Sequence, residues 1–161
     1  MDAPRFTADA MLARLARWLR VLGWDTRLDP ALADPEVVRL AAAEDRILLT
    51  RDRGLLRELH PPRALEIAGD DPLVQLAQVV RELQLAAPAE LFTRCTVCNT
   101  LLSAPLDAGE RLRLLPPDVQ ALPGPARQCP GCGRVYWPGS HARRMRDAIE
   151  RAVPGWLQGA A

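Results

Sequence analysis

Along its first half the chain alternates short apolar runs with longer stretches of helical repeat. Residues 5–8 read as a strand ending at Asp9, after which Leu12, Leu15, Leu19 and Leu22 recur at helical spacing until Gly23 stops them. A second strand is predicted at residues 26–28. A helix follows, opened by Asp34 as N-cap with Pro35 in its first turn, and carries Val37, Val38, Leu40 and Ala41 inward. Ile47, Leu48, Leu49 and Thr50 form the clearest buried strand, and Leu55, Leu56 and Leu59 mark a short helix. Residues 65–67 read as a further strand, and Asp71-Pro72 opens a helix through Leu83. The order βαβαβαβα predicts an α/β fold with a mostly parallel sheet flanked by helices. In such folds ligands lie beyond the carboxyl ends of the strands.

The pattern changes around residues 86–90. From Phe92 onward Cys, Gly and Pro replace the apolar runs until a last helix, expected at residues 141–153 before Pro154 and Gly155. This predicts two units, residues 1–88 and residues 89–161. A length of 161 residues suits one ordinary domain or two small ones, and 48% hydrophobic with 25% charged residues is close to the globular average, against wholesale disorder. No apolar run approaches the roughly 20 residues that a spanning helix needs, and the first residues carry no signal pattern. A cytoplasmic protein without membrane contact is the expectation.

All 21 basic residues are arginine. Arginine suits planar, bidentate contacts to carboxylates and phosphates, but lysine's absence, beside 15 prolines, reads first as genomic base composition. The net charge of +1 hides an uneven split. Residues 1–90 carry 12 Arg against 15 Asp and Glu, and residues 91–161 carry 9 against 5. An acidic first part beside a basic second part suits metals in the one and phosphate in the other.

All four cysteines lie in the second unit, as Cys95-Thr96-Val97-Cys98 and Cys129-Pro130-Gly131-Cys132. Two C-x2-C knuckles are what a tetrahedral zinc site needs, and Gly131 and Gly133 let the second turn sharply. The segment has few apolar side chains to bury, so zinc would supply folding free energy that its core does not. Disulfides are the alternative, disfavoured where thiols stay reduced. Four thiolates leave no open position for catalysis, and His141 is read as a helix cap, a phosphate contact or a plain surface residue, not as a fifth ligand.

Asp9 and Asp52 each follow a predicted strand, so a parallel sheet brings both to one edge, where carboxylates and waters hold Mg²⁺ or Mn²⁺. A third acid normally completes such a cluster. Asp34 and Glu36 are the candidates, with Asp29, Asp70 and Asp71 behind them. Each has a bland alternative, since Asp34, Asp52 and Asp71 all stand where helix caps belong. Glu44-Asp45 reads as a solvated turn. Arg14, Arg17 and Arg20 form a row on the helix after Asp9, suited to phosphates or simply to solvent.

The stretch from Thr7 to Asp25, with Asp9-Ala10-Met11-Leu12-Ala13-Arg14-Leu15-Ala16-Arg17-Trp18-Leu19-Arg20 at its centre, and Arg46-Ile47-Leu48-Leu49-Thr50-Arg51-Asp52-Arg53 resemble the Mut-seven C-terminal RNase domain family, a branch of the PIN-like nucleases. Phe92-Thr93-Arg94-Cys95-Thr96-Val97-Cys98-Asn99 and the segment from Cys129 to Tyr136-Trp137-Pro138-Gly139-Ser140-His141 are similar to that family's appended zinc ribbon. The resemblance implies a PIN-like domain that cuts RNA at a carboxylate-bound Mg²⁺ or Mn²⁺ site, and a small C-terminal ribbon that helps bind the RNA. It matches Asp9 and Asp52 to metal-binding acids, with Asp34 as the middle acid and no fourth acid assigned. Residues 99–128 do not align, and PIN-like relatives often dimerise, so a homodimer is part of the expectation. Arg134, Tyr136, Trp137, His141, Arg143 and Arg144 combine aromatic planes with charge around the second knuckle, a mix suited to RNA, while Tyr136 and Trp137 suit packing against the first unit equally well. The alternative is a non-catalytic RNA- or ribosome-binding adaptor with a vestigial acidic site.

Overall fold

The protein is described by a computed structural model covering residues 3–159. Strand β1 (Phe6–Ala8) leads through a 3₁₀ turn (Ala10–Leu12) into helix α1 (Ala13–Val21). Asp9, in an extended conformation, opens the turn by accepting from the Met11 N–H. Leu12, Leu15, Leu19 and Leu22 are all buried as their spacing predicts. The helix ends in a Schellman motif, in which Trp24 N donates to Leu19 O and Gly23 N to Arg20 O. Gly23 sits at φ +81, and a Cβ there would come 2.4 Å from Thr93 Oγ1, so both the turn and the close approach of the second unit require glycine.

Strand β2 (Thr26–Leu28), helix α2 (Asp34–Ala43), strand β3 (Ile47–Thr50), helix α3 (Arg53–Leu59), strand β4 (Ala64–Glu66) and helix α4 (Pro72–Glu82) complete the predicted alternation. The four strands form one parallel sheet in the order β2-β1-β3-β4. The chain thus leaves β1 to one side and crosses back to β3 on the other, which makes the carboxyl ends of β1 and β3 the topological switch point. Side chains alternate as a pleat requires. Phe6, Ala8, Ile47 and Leu49 share a core with α1 and α4, while Leu48 packs on the other face with Val37, Ala41 and Leu55.

Two local expectations change. The N-cap of α2 is Ala33, without a side-chain cap, so Asp34 is the first helical residue rather than the cap. The last strand begins one residue earlier than expected, with Ile67 buried just beyond it and donating to Thr50 O.

The second unit is a ribbon followed by a helix. Helix α5 (Ala108–Leu114) lies between the two knuckles, strands β5 (Arg127–Gln128) and β6 (Val135–Tyr136) pair antiparallel around the second, and helix α6 (Ser140–Ala152) follows. The segment between the knuckles forms its own small core around Leu106, Leu115 and Ala126. α6 returns to the first unit, where Ile149 is fully buried in the core that holds Phe6 and Leu15. Trp156 packs edge-on to Trp24, and its indole N–H donates to Leu85 O. No helix among the described residues is long and apolar enough to cross a membrane.

The Glu44 turn is not simply solvated. Arg46, buried at the foot of β3, grips Asp25 with two hydrogen bonds of 2.8 and 3.1 Å and also donates to Glu44, which pairs with Arg27 as well. Asp25 further accepts from the Asn99 side chain, 2.7 Å away in the ribbon. Burial pushes the Asp25 carboxyl up, but the hydrogen bonds from Arg46 and Asn99 outweigh it and hold it below the usual carboxylate range. Hydrogen bonding from Arg46 likewise holds Glu44 low. Because both folded values are depressed, this stabilisation is complete above the unfolded carboxylate pKa of about 4 and is lost as pH falls through the folded values. Thermal unfolding measured from pH 7 to 3 is expected to show a melting temperature that drops below about pH 4. Asp25→Asn flattens that drop and costs about 2–4 kcal/mol at pH 7.

Candidate functional site

The carboxyl ends of β1 and β3 carry Asp9 and Asp52, and Thr50 joins them. Its hydroxyl donates to Asp9 Oδ2 at 2.7 Å and accepts from the Asp52 backbone N–H at 3.0 Å. Thr50 is fully buried, so this hydroxyl has a fixed direction. Asp9 is held from the backbone too, by its own N–H to Leu49 O, and one oxygen of each carboxylate caps the turn that follows, at Met11 N and at Leu55 N. The two carboxyl groups thus cap the turns that follow them, and Thr50 links the two positions.

Asp34 stands at the start of α2, just past the end of β2 on the same edge of the sheet, and is exposed. The other acids nearby are engaged. Glu36 pairs with Arg39, Asp29 caps Ala31, Asp70 pairs with Arg51, and Asp71 caps α4. Asp34 has no such partner among the described residues. Thr50 links Asp9 and Asp52, but Asp9, Asp34 and Asp52 do not gather their carboxylates within 4.8 Å of one another. Among the described residues, only Cys95, Cys98, Cys129 and Cys132 place three or more potential metal donors within 4.8 Å of one another.

The two knuckles are built alike. Asn99 N donates to Cys95 O and Gly133 N to Cys129 O, with Asn99 at φ +69 and Gly133 at φ +78. In each, the second cysteine's N–H points at the first cysteine's sulfur. Gly131 serves a different purpose from the turn expected of it, since a Cβ there would come 2.7 Å from Thr100 Oγ1 of the facing knuckle. Across the knuckles Sγ to Sγ distances are 3.6 Å (Cys95 to Cys132) and 3.4 Å (Cys98 to Cys129). A disulfide needs about 2.05 Å, whereas tetrahedral zinc at a Zn–S length of 2.3 Å spaces its sulfurs by about 3.8 Å. The donor set fits zinc. Hydrogen bonding to Thr100 brings the Cys98 thiol down to about 6. At Cys132 the Arg134 N–H opposes, but burial and the neighbouring cysteines push the thiol up to about 11.

Outside the sulfurs, the Tyr136 hydroxyl lies 3.1 Å from Cys95 Sγ and accepts from Thr96 N, so Tyr136 braces the first knuckle. Arg20 departs from the exposed row expected of it. Buried, it donates to Thr26 O from Nε and to Thr96 O and Val97 O from Nη1. Burial lowers its pKa, and the nearby Cys95 and Cys98 thiolates oppose that shift. Arg14 and Arg17 of the same row stay exposed. Arg17, Tyr136, Trp137, His141 and Arg143 line one groove of about 800 Å³ beside the ribbon, while Arg14, Arg134 and Arg144 lie outside its lining. His141 does not cap α6, whose N-cap is Gly139 without a side-chain cap.

The model of the Mut7-C RNAse domain family matches residues 4–149, which takes in both strand-end acids and all four cysteines. The chain belongs to the Mut7-C RNAse domain family. No curated protein and no solved structure matches it. In this Mut7-C RNAse domain, sequence reasoning missed Thr50 as the link between the acids and Arg20 as the link to the ribbon. The Thr50-Arg51-Asp52 spacing carried the first signal, because a threonine hydroxyl commonly accepts from the N–H two residues on. Nothing local distinguishes Arg20 from Arg14 or Arg17.

Replacing Thr50 by Val keeps the volume but strands the Asp52 N–H and the Asp9 oxygen. Denaturant unfolding is expected to show a loss of about 1–3 kcal/mol in Thr50→Val, and much less in Thr50→Ser, which keeps the hydroxyl.

Proposed function

We propose that this Mut7-C RNAse domain is a metal-dependent ribonuclease, with Asp9, Asp34 and Asp52 holding Mg²⁺ or Mn²⁺ and the four cysteines holding a structural zinc ion. The observation that carries the reading is the Thr50 hydroxyl, which fixes Asp9 against Asp52 at the switch point of the sheet. A divalent ion bound there supplies an activated water and neutralises charge on the phosphate under attack. The exposed and unpartnered Asp34 suits a site that completes its coordination with waters, as Mg²⁺ prefers.

The chain's own groups do the positioning. Asp9 enters with one oxygen fixed by Thr50 and the other by Met11 N, so its carboxylate presents a single orientation. Asp52 Oδ1 is fixed by Leu55 N. Arg14 and Arg17, exposed on the helix that follows Asp9, would meet backbone phosphates. Arg134, His141, Arg143 and Arg144 extend the basic surface along the ribbon, and Trp137 offers a base a flat face.

A second reading, a non-catalytic RNA-binding adaptor, has one observation in its favour: the three carboxylates are not gathered within 4.8 Å of one another. Calorimetric titration of Mn²⁺ into zinc-loaded protein, followed by cleavage of labelled RNA with the same samples, separates the two. In Asp9→Asn, Mn²⁺ binding is expected to vanish and cleavage to fall by more than about 100-fold, beyond what outer-shell changes cause. A folded wild type that binds no Mn²⁺ leaves the adaptor.

Zinc analysis is expected to return one ion per chain. Its removal by a chelator should lower the melting temperature of the whole protein, because Arg20 and Asn99 tie the knuckles to α1 and β2.

A further inference from the structure

The groove beside the ribbon has a composition that RNA binding in general does not explain. It is lined by the segment between the knuckles (Val119, Leu122 and Pro125), by Trp137, by the first two turns of α6, and by Arg17 from α1. About 800 Å³ is the size of a small-molecule site rather than of a surface that lies along a duplex.

The charge of the lining is one-sided. Arg17, Arg127, Arg143 and Arg146 face a single carboxylate, Glu90, and Arg127 already pairs with it at 3.0 Å. Arg17, Arg143 and Arg146 are exposed and make no ion pair with the described residues. One of these arginines, Arg143, also stands close to the N-terminal end of its helix. α6 begins without a side-chain cap and without an acid in its first turn, and it places His141, Arg143 and Arg144 near a terminus whose dipole is positive. Local preference is set aside here for no gain within the folded chain, and such conflicts mark functional sites. An anion in the groove would resolve the conflict by meeting the open N–H groups and the arginines together.

The rest of the lining is mostly apolar and includes three aromatic rings, those of Phe92, Tyr136 and Trp137. Trp137 is half-buried, and its indole N–H makes no hydrogen bond with the described residues. An apolar slot with an aromatic wall and a cationic rim complements a base together with its phosphates. A base within an A-form duplex is stacked on both faces and cannot enter such a slot, whereas an unpaired base can.

We propose that this groove seats an unpaired nucleotide of single-stranded RNA, with its base against Trp137 and its phosphates on Arg17, Arg143, Arg146 and the start of α6. That the polymer is RNA rests on the ribonuclease reading; the preference for an unpaired nucleotide rests on the groove. Arg17 lies eight residues beyond Asp9, on the order of 12 Å at helical rise, so a strand held here runs within a few nucleotides of the strand-end acids. The segment between the knuckles thereby becomes a determinant of substrate form.

The test is fluorescence anisotropy on the full, zinc-loaded chain with a labelled uridine octamer and a blunt duplex of equal length, without added Mg²⁺ or Mn²⁺. The octamer is expected to bind at least tenfold more tightly than the duplex. Arg143→Glu with Arg146→Glu, both exposed, should weaken octamer binding more than tenfold and reduce the salt slope by about two. Trp137→Ala should weaken it about tenfold, and Trp137→Phe should restore most of the loss. Equal affinity for octamer and duplex, or octamer binding unchanged in the charge-reversed protein at wild-type zinc content, overturns the proposal. Adding Mn²⁺ to the same proteins separates it from the ribonuclease reading. Groove-dependent octamer binding without cleavage keeps the groove and removes the nuclease, while cleavage that ignores the groove variants does the reverse.

Discussion

Arg20 is the point on which the two units of this chain turn. A guanidinium taken out of water must be given acceptors, and this one has three carbonyls, one from β2 and two from inside the first knuckle. Removing such a partner from a buried site costs about 3–5 kcal/mol, more than any single surface contact between the units. The knuckle is therefore tied directly to the end of α1. Gly23 and Asp25, on either side of Trp24, continue the joint. The first admits Thr93 where no side chain would fit, and the second reaches Asn99 while Arg46 holds it from below.

The position of α1 matters because it follows Asp9 directly. The turn that Asp9 opens, the helix that carries Arg17 and the corner that receives the ribbon are one continuous piece of chain. A rigid joint at the helix end fixes the direction in which Arg17 projects, and so relates the acidic edge of the sheet to the basic groove. α6 closes the same loop from the other side, with Ile149 in the sheet's core and its first turns in the groove.

Much of this was legible from the residues. Leu12, Leu15, Leu19 and Leu22 announced α1, and the alternation of elements announced a parallel sheet whose strand ends would gather Asp9 and Asp52, because periodicity reports burial directly. The cysteine spacing announced the knuckles for an equally local reason. What stayed hidden depends on partners distant in the chain. Arg20 differs from Arg14 only in being covered by residues 96 and 97, and Glu44 differs from a solvated acid only because Arg27 and Arg46 converge on it. Thr50 was read as the end of a strand, and its hydroxyl acquires meaning only when β1 lies alongside. Ile149 belongs to an arginine-rich helix whose apolar stripe gives no sign of which core it joins.

The two knuckles are near-copies in their backbones, yet the residue that closes each is different. Gly133 closes the second with nothing within 4 Å of where a side chain would begin. Asn99 closes the first in the same left-handed conformation, but its amide accepts from Thr26 N and donates to Asp25. Asparagine tolerates that conformation nearly as glycine does and adds a reach that glycine lacks. The likeness of the two knuckles thus ends at the residue that closes each. The second knuckle is closed by a bare turn, whereas the first is keyed to the end of α1 and to β2, which sets the orientation in which the ribbon sits against the sheet.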